Sequence, residues 1–499
     1  MKKARLTIDK EFAISQIDDK VFSSFVEPLG RCIYGGIYEP GHPKADEKGF
    51  RLDVLELTKA LNVTANRFPG GNFIADYRWE DGVGPKELRP RRPELAWQSI
   101  EPNTFGLNEM VEWSKLNGSD ILMTVNLGTR GIEQALDLLE YCNFKGGTHY
   151  SDMRISHGYK EPHGFKYWCL SNETDGIWQI GQKTGYENGR LARETSKAMK
   201  LLDNSIKTVL AGSSAPSQDT FPVFDAESLD QAYEFVDYLS VHSYLSNPEN
   251  DTSNYLAKSL TTDAFFKSVI ATCDYIKAKH RSDKTMMISF DEYNTWNKHS
   301  KERFENPWTF APPLLEQNYA LEDAVVLGGL LITILKYTDR IKIACLSELV
   351  NCISHIRTEN GGSCWTLPPY YTFLHFSKYA RGTALQPKVD SPKYDSQQFT
   401  DVPYVDAIAT MDMDENITVF AINRNLEDSM ILETEMRGFE NYNVAEHIIL
   451  EGADPKDTNT KDNPNKVMPH SNGNAAIEDG KVQATLPKLS WNVIRLTKI

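Results

Sequence analysis

Two apolar runs in this chain of 499 residues end in carboxylates. YWCL at 167–170 is followed by Ser171, Asn172 and Glu173, and MMISF at 286–290 by Asp291, Glu292 and Tyr293. A charge at the end of a buried run is costly unless it is paired or used. Two facing carboxylates are the minimum kit for cleaving a glycosidic bond. One, protonated, helps the leaving group depart, and the other, ionised, attacks the sugar carbon. Arg67 closes the run 63–68 and favours the anionic form of a neighbouring acid. Tyr244, just past the run 238–242, offers that acid a hydrogen bond, and Asn172 suits a sugar hydroxyl beside the scissile bond. Each residue also has a plainer reading. An Asn-Glu pair after a strand serves as a cap or loop, Arg67 fits a structural ion pair, and His242 reads as an ordinary rim residue. Trp97, Trp296 and Trp178 either pack in the core or lend an indole face to a sugar.

Such residues need a frame that brings distant segments together. Apolar runs recur at 21–28, 63–68, 121–127, 167–170, 208–213, 238–242, 286–290 and 342–346. Continuous apolarity over four to six residues is the pattern of strands buried on both faces of a parallel sheet. Helix-like segments lie between them at 106–116, 131–141, 189–203, 262–280 and 322–337. Eight strands alternating with helices predict a (β/α)8 barrel, with a doubly wound open sheet as the competing arrangement. Glu173 and Glu292 stand about 120 residues apart, three units of about 40 residues each, on strands four and seven. Those strands lie nearly opposite across a barrel mouth.

From residue 385 the chain changes character. Short alternating segments separated by Asp/Asn/Gly turns predict an antiparallel β-sandwich over 385–499, which the strand-like N-terminus (1–19) joins; the barrel then spans 20–384. MDMDEN (411–416) lacks the glycine and distal glutamate of a calcium loop and reads as a hairpin turn. Residues 454–474 read as a long loop. Pro69-Gly70-Gly71-Asn72 lacks the phosphate-loop pattern and reads as a tight turn.

Composition narrows the partners. A net charge of −15 argues against nucleic acid and anionic membranes, whose binding needs clustered Lys and Arg. No apolar run reaches the ~18 residues of a membrane span. MKKARLTIDKEF has no apolar stretch behind its lysines and does not read as a secretory signal. Seven widely spaced cysteines without a CxxC pair read as reduced thiols of a cytoplasmic protein.

At these residues the sequence resembles the α-L-arabinofuranosidases of glycoside hydrolase family 51. The blocks run in order along nearly the whole chain. They include EPLGRCIYGGIYEP from Glu27, NRFPGGNF from Asn66, RPRRPELAWQSIEPNTFG from Arg89, NETDG from Asn172, HSY from His242, DEYNTW from Asp291 and IACLSELVN ending at Asn351. The resemblance implies a (β/α)8 barrel with a C-terminal jelly-roll sandwich. It also implies a retaining, exo-acting enzyme that removes terminal α-L-arabinofuranosyl groups from arabinan, arabinoxylan or their oligosaccharides, without metal or cofactor. Glu173 is similar to the family's acid/base and Glu292 to its nucleophile. Glu27, Asn72, Asn172 and Tyr244 match positions that hold the furanose ring. A homo-oligomer, commonly a hexamer, acting inside the cell is the family's pattern. Four residues depart from it: Pro28 in place of His, Phe68 and Tyr293 each in place of Trp, and Glu348 in place of a sugar-binding Gln. An added carboxylate raises neighbouring pKa values and loses an amide donor. Another retaining glycosidase activity, such as β-xylosidase or endoglucanase, and a non-catalytic carbohydrate-binding protein are the alternatives.

Overall fold

The computed structural model of the protein describes residues 2–297 and 307–499. Among these, eight parallel strands close into a barrel. In chain order they are Ser23–Phe25, Ala65–Phe68, Asp120–Val125, Tyr167–Leu170, Lys207–Ala211, Tyr238–Leu245, Met287–Thr295 and Ile341–Leu346. Each of the eight apolar runs holds one strand, because each strand is covered by helices outside and side chains inside. Phe25, Ala65, Leu122, Cys169, Val209, Ile343 and Cys345 fill the interior, so the barrel is a packed core rather than a channel.

Two strands outrun their apolar stretches. The sixth continues past His242 to Leu245 and the seventh past Phe290 to Thr295, so Tyr244 and Glu292 lie within strands rather than after them. Their polar ends line the mouth, where apolar side chains are not required. The register slips between Phe290 and Tyr293 against the eighth strand. Phe290 and Tyr293 therefore stack on one side, with ring centroids 5.0 Å apart, and Phe290 meets Phe266 of helix Ser259–His280. A bulge of this kind turns two consecutive residues, Asp291 and Glu292, toward the barrel interior. Tyr293, one of the four departures, consequently packs away from the mouth.

Of the remaining strands, six pair in three small two-stranded sheets and the other eleven form two facing sheets. One contains Ala13–Gln16, Thr383–Leu385, Val405–Met411, Ile417–Asn423, Ser490–Lys498 and Tyr442–Leu450, and the other Lys388–Asp390, Lys2–Asp9, Met430–Arg437, Lys481–Leu486 and Ala476–Glu478. Ala4, Leu6, Ile8, Val419, Leu432 and Val482 pack between them. Lys2–Asp9 runs parallel to Met430–Arg437, which an all-antiparallel sandwich does not anticipate. The turn at MDMDEN is a hairpin closed by Asp412, whose carboxylate accepts the N–H groups of Asp414 and Asn416. Helix Leu321–Lys336 is buried along nearly its whole length between barrel and sandwich. At Gly328 a β-carbon would lie 2.6 Å from the Trp491 ring, so glycine is what lets helix and sheet approach this closely. Loop 454–474 is tied back to that helix, with Leu321 N–H donating to Asp457 and Lys456 pairing with Glu322. All seven cysteines are unpaired, and six are buried. No helix among the described residues is long and apolar enough to cross a membrane.

Candidate active site

The fourth strand ends at Leu170, and the backbone then turns sharply. Ser171 and Glu173 have φ of 80° and 42°, a left-handed conformation that side chains rarely adopt and that recurs where geometry is functional. This turn aims Glu173 across the mouth toward the seventh strand. Arg67, fully buried on the second strand, fixes what it meets there. Its Nη1 donates to Glu292 Oε1 at 2.7 Å and its Nη2 to Asn172 Oδ1 at 2.7 Å, while its Nε lies 3.6 Å from Asp291. Tyr244 donates to the other Glu292 oxygen at 2.9 Å. Both oxygens of Glu292 are thus held by donors, which fixes the orientation of its carboxylate.

His242 stands between the two glutamates, contrary to its reading as a rim residue. Its Nδ1 is 2.9 Å from Glu173 Oε1 and 3.5 Å from Glu292 Oε2, and its Nε2 is 3.2 Å from Asp291 Oδ1. Burial disfavours the imidazolium, but Glu292, Asp291 and Glu173 outweigh that cost and lift its pKa to about 10. Asp291 is fully buried; burial alone would raise its carboxyl, but Arg67 and His242 hold it below the usual range. Ser240 donates to Asp291 at 2.5 Å. Strand alternation carried the missed signal: Ser240, His242 and Tyr244 stand at i, i+2 and i+4, so all three polar side chains share one face. The three groups Glu173, His242 and Glu292 bring side-chain oxygen or nitrogen atoms within 4.8 Å of one another.

The indoles divide unexpectedly. Trp178 is 43 % exposed and donates to Glu173 Oε2 at 3.0 Å. Trp97 is buried and offers no open face; its Nε1 donates to Glu27 Oε1 at 2.7 Å. Trp296 is partly buried, edge-on to Tyr244 at 5.4 Å.

Glu27 follows the first strand. Its Oε1 also accepts the Phe73 N–H at 2.8 Å. Glu348, after the eighth strand, accepts the Glu27 N–H at 2.9 Å and the Cys32 thiol at 3.3 Å. Among the described residues, Asn72 Oδ1, Asn172 Nδ2 and Trp296 Nε1 are buried without a hydrogen-bond partner. Buried polar atoms are rarely left so, and such a set suits a polyhydroxylated ligand. A recess of about 590 Å³ is lined by Phe73, whose N–H donates to Glu27, but by neither of the two central glutamates.

The turn at Pro69-Gly70-Gly71-Asn72 does more than close a strand. Gly71 has φ 57° and ψ −162°, and a β-carbon there would fall 2.2 Å from the Glu27 carboxyl carbon. Gly71→Ala is expected to cost about 2 kcal/mol of stability and to displace Glu27. A thermal melt read beside KM checks this; an unchanged melt and KM would show that the turn tolerates a side chain.

An eight-stranded barrel with two mouth glutamates, one just after strand four and one on strand seven, defines a barrel glycosidase framework. Known proteins agree in detail. Residues 57–260 match the α-L-arabinofuranosidase 1 domain and residues 291–490 the α-L-arabinofuranosidase C-terminal domain. The chain is 52% identical over 497 residues to an intracellular exo-α-(1→5)-L-arabinofuranosidase of Halalkalibacterium halodurans, covering 99% of both. It is likewise 52% identical over 500 residues to intracellular exo-α-(1→5)-L-arabinofuranosidase 1 of Bacillus subtilis, covering 100% of both. A solved family 51 α-L-arabinofuranosidase from Bifidobacterium longum superimposes with a TM-score of 0.95 at 37% identity, with 99% of each chain covered. The chain belongs to the family 51 α-L-arabinofuranosidases.

Proposed function

We propose that this protein is a retaining, exo-acting α-L-arabinofuranosidase that releases terminal arabinofuranosyl groups from arabinan, arabinoxylan or derived oligosaccharides. The observation that carries the reading is the pair of carboxyls that meet one ring nitrogen, His242 Nδ1, 2.9 Å from Glu173 Oε1 and 3.5 Å from Glu292 Oε2. Retention uses carboxyls ~5–5.5 Å apart, whereas inversion needs ~6.5–9.5 Å to admit a water. Glu173, in its protonated form, gives its proton to the glycosidic oxygen as the bond to the anomeric carbon breaks. Glu292 forms the new bond to that carbon. Glu173, now a base, takes a proton from water, which attacks the anomeric carbon and frees Glu292. Arg67 and Tyr244 hold the nucleophile in line, and Trp178 steadies Glu173.

Glu27, Asn72, Asn172, Tyr244 and Glu348 are assigned to the furanose hydroxyls, and Trp97 to positioning Glu27 rather than to stacking. Trp296 is left as the indole nearest the sugar. The site draws on residues 27–348 alone. We therefore assign catalysis to the barrel, 20–384, and a supporting role to 1–19 and 385–499. The names of its relatives favour α-(1→5) linkages and action inside the cell as further parts of this reading; a homo-oligomer such as a hexamer is carried over from the family resemblance alone. Hydrolysis of α-(1→5)-arabinobiose and 4-nitrophenyl α-L-arabinofuranoside, against matched β-xyloside and β-glucan, tests it. Cleavage of the arabinofuranosides alone is expected; preference for the xyloside or glucan would shift it to another retaining glycosidase, and binding without release to a carbohydrate-binding protein.

His242 is a positioning residue in this scheme. Its positive charge stands between two acids that would otherwise repel each other. His242→Phe is expected to lower kcat about 100-fold and to move the acid limb of the pH–rate profile to higher pH. An unmoved acid limb would assign His242 to packing alone.

A further inference from the structure

Asp291 makes no bond in the two displacements, yet it is the most enclosed of the site's acids, fully buried on the seventh strand beside the nucleophile. Donors and cations from the second, fourth and sixth strands surround it. Ser240 Oγ donates to it at 2.5 Å, His242 Nε2 lies at 3.2 Å, Arg67 Nε at 3.6 Å and the Cys169 thiol at 3.8 Å. The other nitrogen of the same imidazole, Nδ1, meets Glu173 Oε1 at 2.9 Å and Glu292 Oε2 at 3.5 Å. A carboxylate on one ring nitrogen fixes the orientation of the ring and what the other nitrogen can do. The two acids at Nδ1 exchange charge as the reaction proceeds. Before the first displacement Glu292 is the anion and Glu173 carries its proton. In the arabinosyl-enzyme Glu292 is an ester and Glu173 is the anion. Asp291 neither bonds to the sugar nor passes a proton, so the charge at Nε2 is the same in both states.

We propose that Asp291 is a positioning residue whose charge keeps His242 protonated through the second displacement, and so keeps Glu173 ionised as the base that activates water. The proposal rests on the two-step arabinofuranosidase scheme and deepens it. The two halves depend on Asp291 unequally. In the first, Glu292 is held by the Arg67 guanidinium at 2.7 Å and the Tyr244 hydroxyl at 2.9 Å, a cation and a donor that do not involve His242. In the second, Glu173 is held by His242 at 2.9 Å and by the neutral Trp178 indole at 3.0 Å. Remove the charge at Nε2, and the buried imidazolium is left with the Glu173 carboxylate beside it. A buried ion pair without further support is costly, and the transfer of one proton removes both charges. The N–H bond at Nδ1 breaks, an O–H bond forms at Glu173 Oε1, and both groups become neutral. A protonated Glu173 cannot accept a proton from water, so the arabinosyl-enzyme accumulates. Burial disfavours the imidazolium, and Glu292, Asp291 and Glu173, in that order, favour it, in keeping with this division of roles.

Asp291→Asn keeps the shape of the side chain and removes its charge. On 4-nitrophenyl α-L-arabinofuranoside the variant is expected to lose about 100-fold in kcat and nearly as much in KM, so that kcat/KM changes by less than about fivefold. Stopped-flow traces are expected to show a burst of one equivalent of 4-nitrophenolate, and intact mass spectra an arabinosyl adduct on the protein. Azide, a nucleophile that needs no base, is expected to restore turnover. A residue that merely supports the fold does not move these readouts together. Equal falls in kcat and kcat/KM, without burst or adduct, would overturn the proposal. If Asp291→Asn fails to fold, His242→Gln carries the test, because it removes the cation through which Asp291 acts. The same accumulation is expected there, and its absence overturns the proposal. A wild type that cleaves a different aryl glycoside moves the sugar assignment, and the same split between kcat and KM is then read on that glycoside. A wild type that cleaves none overturns both the proposal and the reading beneath it.

Discussion

Glu292→Ala abolishes turnover on every arabinofuranoside, by about 10⁵-fold, whatever the leaving group. The side chain supplies the electron pair that displaces the aglycone, and no neighbour can replace it. Asp291 is fully buried and committed to Ser240, Arg67 and His242, and Glu173 is the proton donor across the mouth. Truncation also leaves Arg67 Nη1 and the Tyr244 hydroxyl, which now hold the two Glu292 oxygens, facing a gap. That gap is an anion site of the nucleophile's own geometry. Azide is therefore expected to occupy it, attack the anomeric carbon from the same face and restore turnover on a 4-nitrophenyl substrate. The product would be the β-configured arabinofuranosyl azide, inverted because only one displacement occurs. Chromatography and NMR of that product check the result. Rescue that yields the α-azide, or no loss on mutation, would remove Glu292 from the nucleophile's role.

Glu173→Ala separates substrates by leaving group. Loss of the proton donor is expected to cost about 10⁴-fold in kcat/KM on α-(1→5)-linked oligosaccharides, whose departing alkoxide needs a proton. On 4-nitrophenyl α-L-arabinofuranoside, whose phenolate leaves unaided, the loss in the first step is expected to be smaller by two or more orders of magnitude. The second step, which lacks its base, then becomes limiting, and azide accelerates it to give the α-azide. The alkaline limb of the pH–rate profile disappears with the acid itself. Equal losses on both substrates would assign Glu173 to structure. The expected selectivity rests on its position, since Glu173 is held only at its edges, by Trp178 and His242, and remains the more open of the two carboxyls.

The barrel was legible because its physics is one-dimensional. A strand buried on both faces must be continuously apolar, and eight such runs are written in the chain. The two glutamates followed from where those runs stop. Other features depend on through-space relations. The bulge that turns both Asp291 and Glu292 inward leaves no mark on composition, so the seventh strand reads five residues too short. His242 looks like any polar residue after an apolar run until Ser240 and Tyr244 are counted with it on the same face. Trp178 lies in a loop whose path no periodicity dictates, and Trp97 matters through its ring nitrogen rather than its face. Lys2–Asp9 alternates like any sandwich strand, but nothing in that alternation tells parallel from antiparallel pairing. Glu348 reverses the pattern: its oddity was visible in the residue type alone, while its consequence needed the Glu27 N–H and the Cys32 thiol beside it.

The central claim is double displacement by Glu173 and Glu292, and partitioning with methanol tests it most directly. The wild type is given 4-nitrophenyl α-L-arabinofuranoside in buffer containing methanol, and the methyl arabinofuranoside formed is identified by NMR before it is consumed. Two inversions at the anomeric carbon predict the methyl α-L-arabinofuranoside. The methyl β-anomer, or aryl release with no methyl glycoside in either form, would contradict the account.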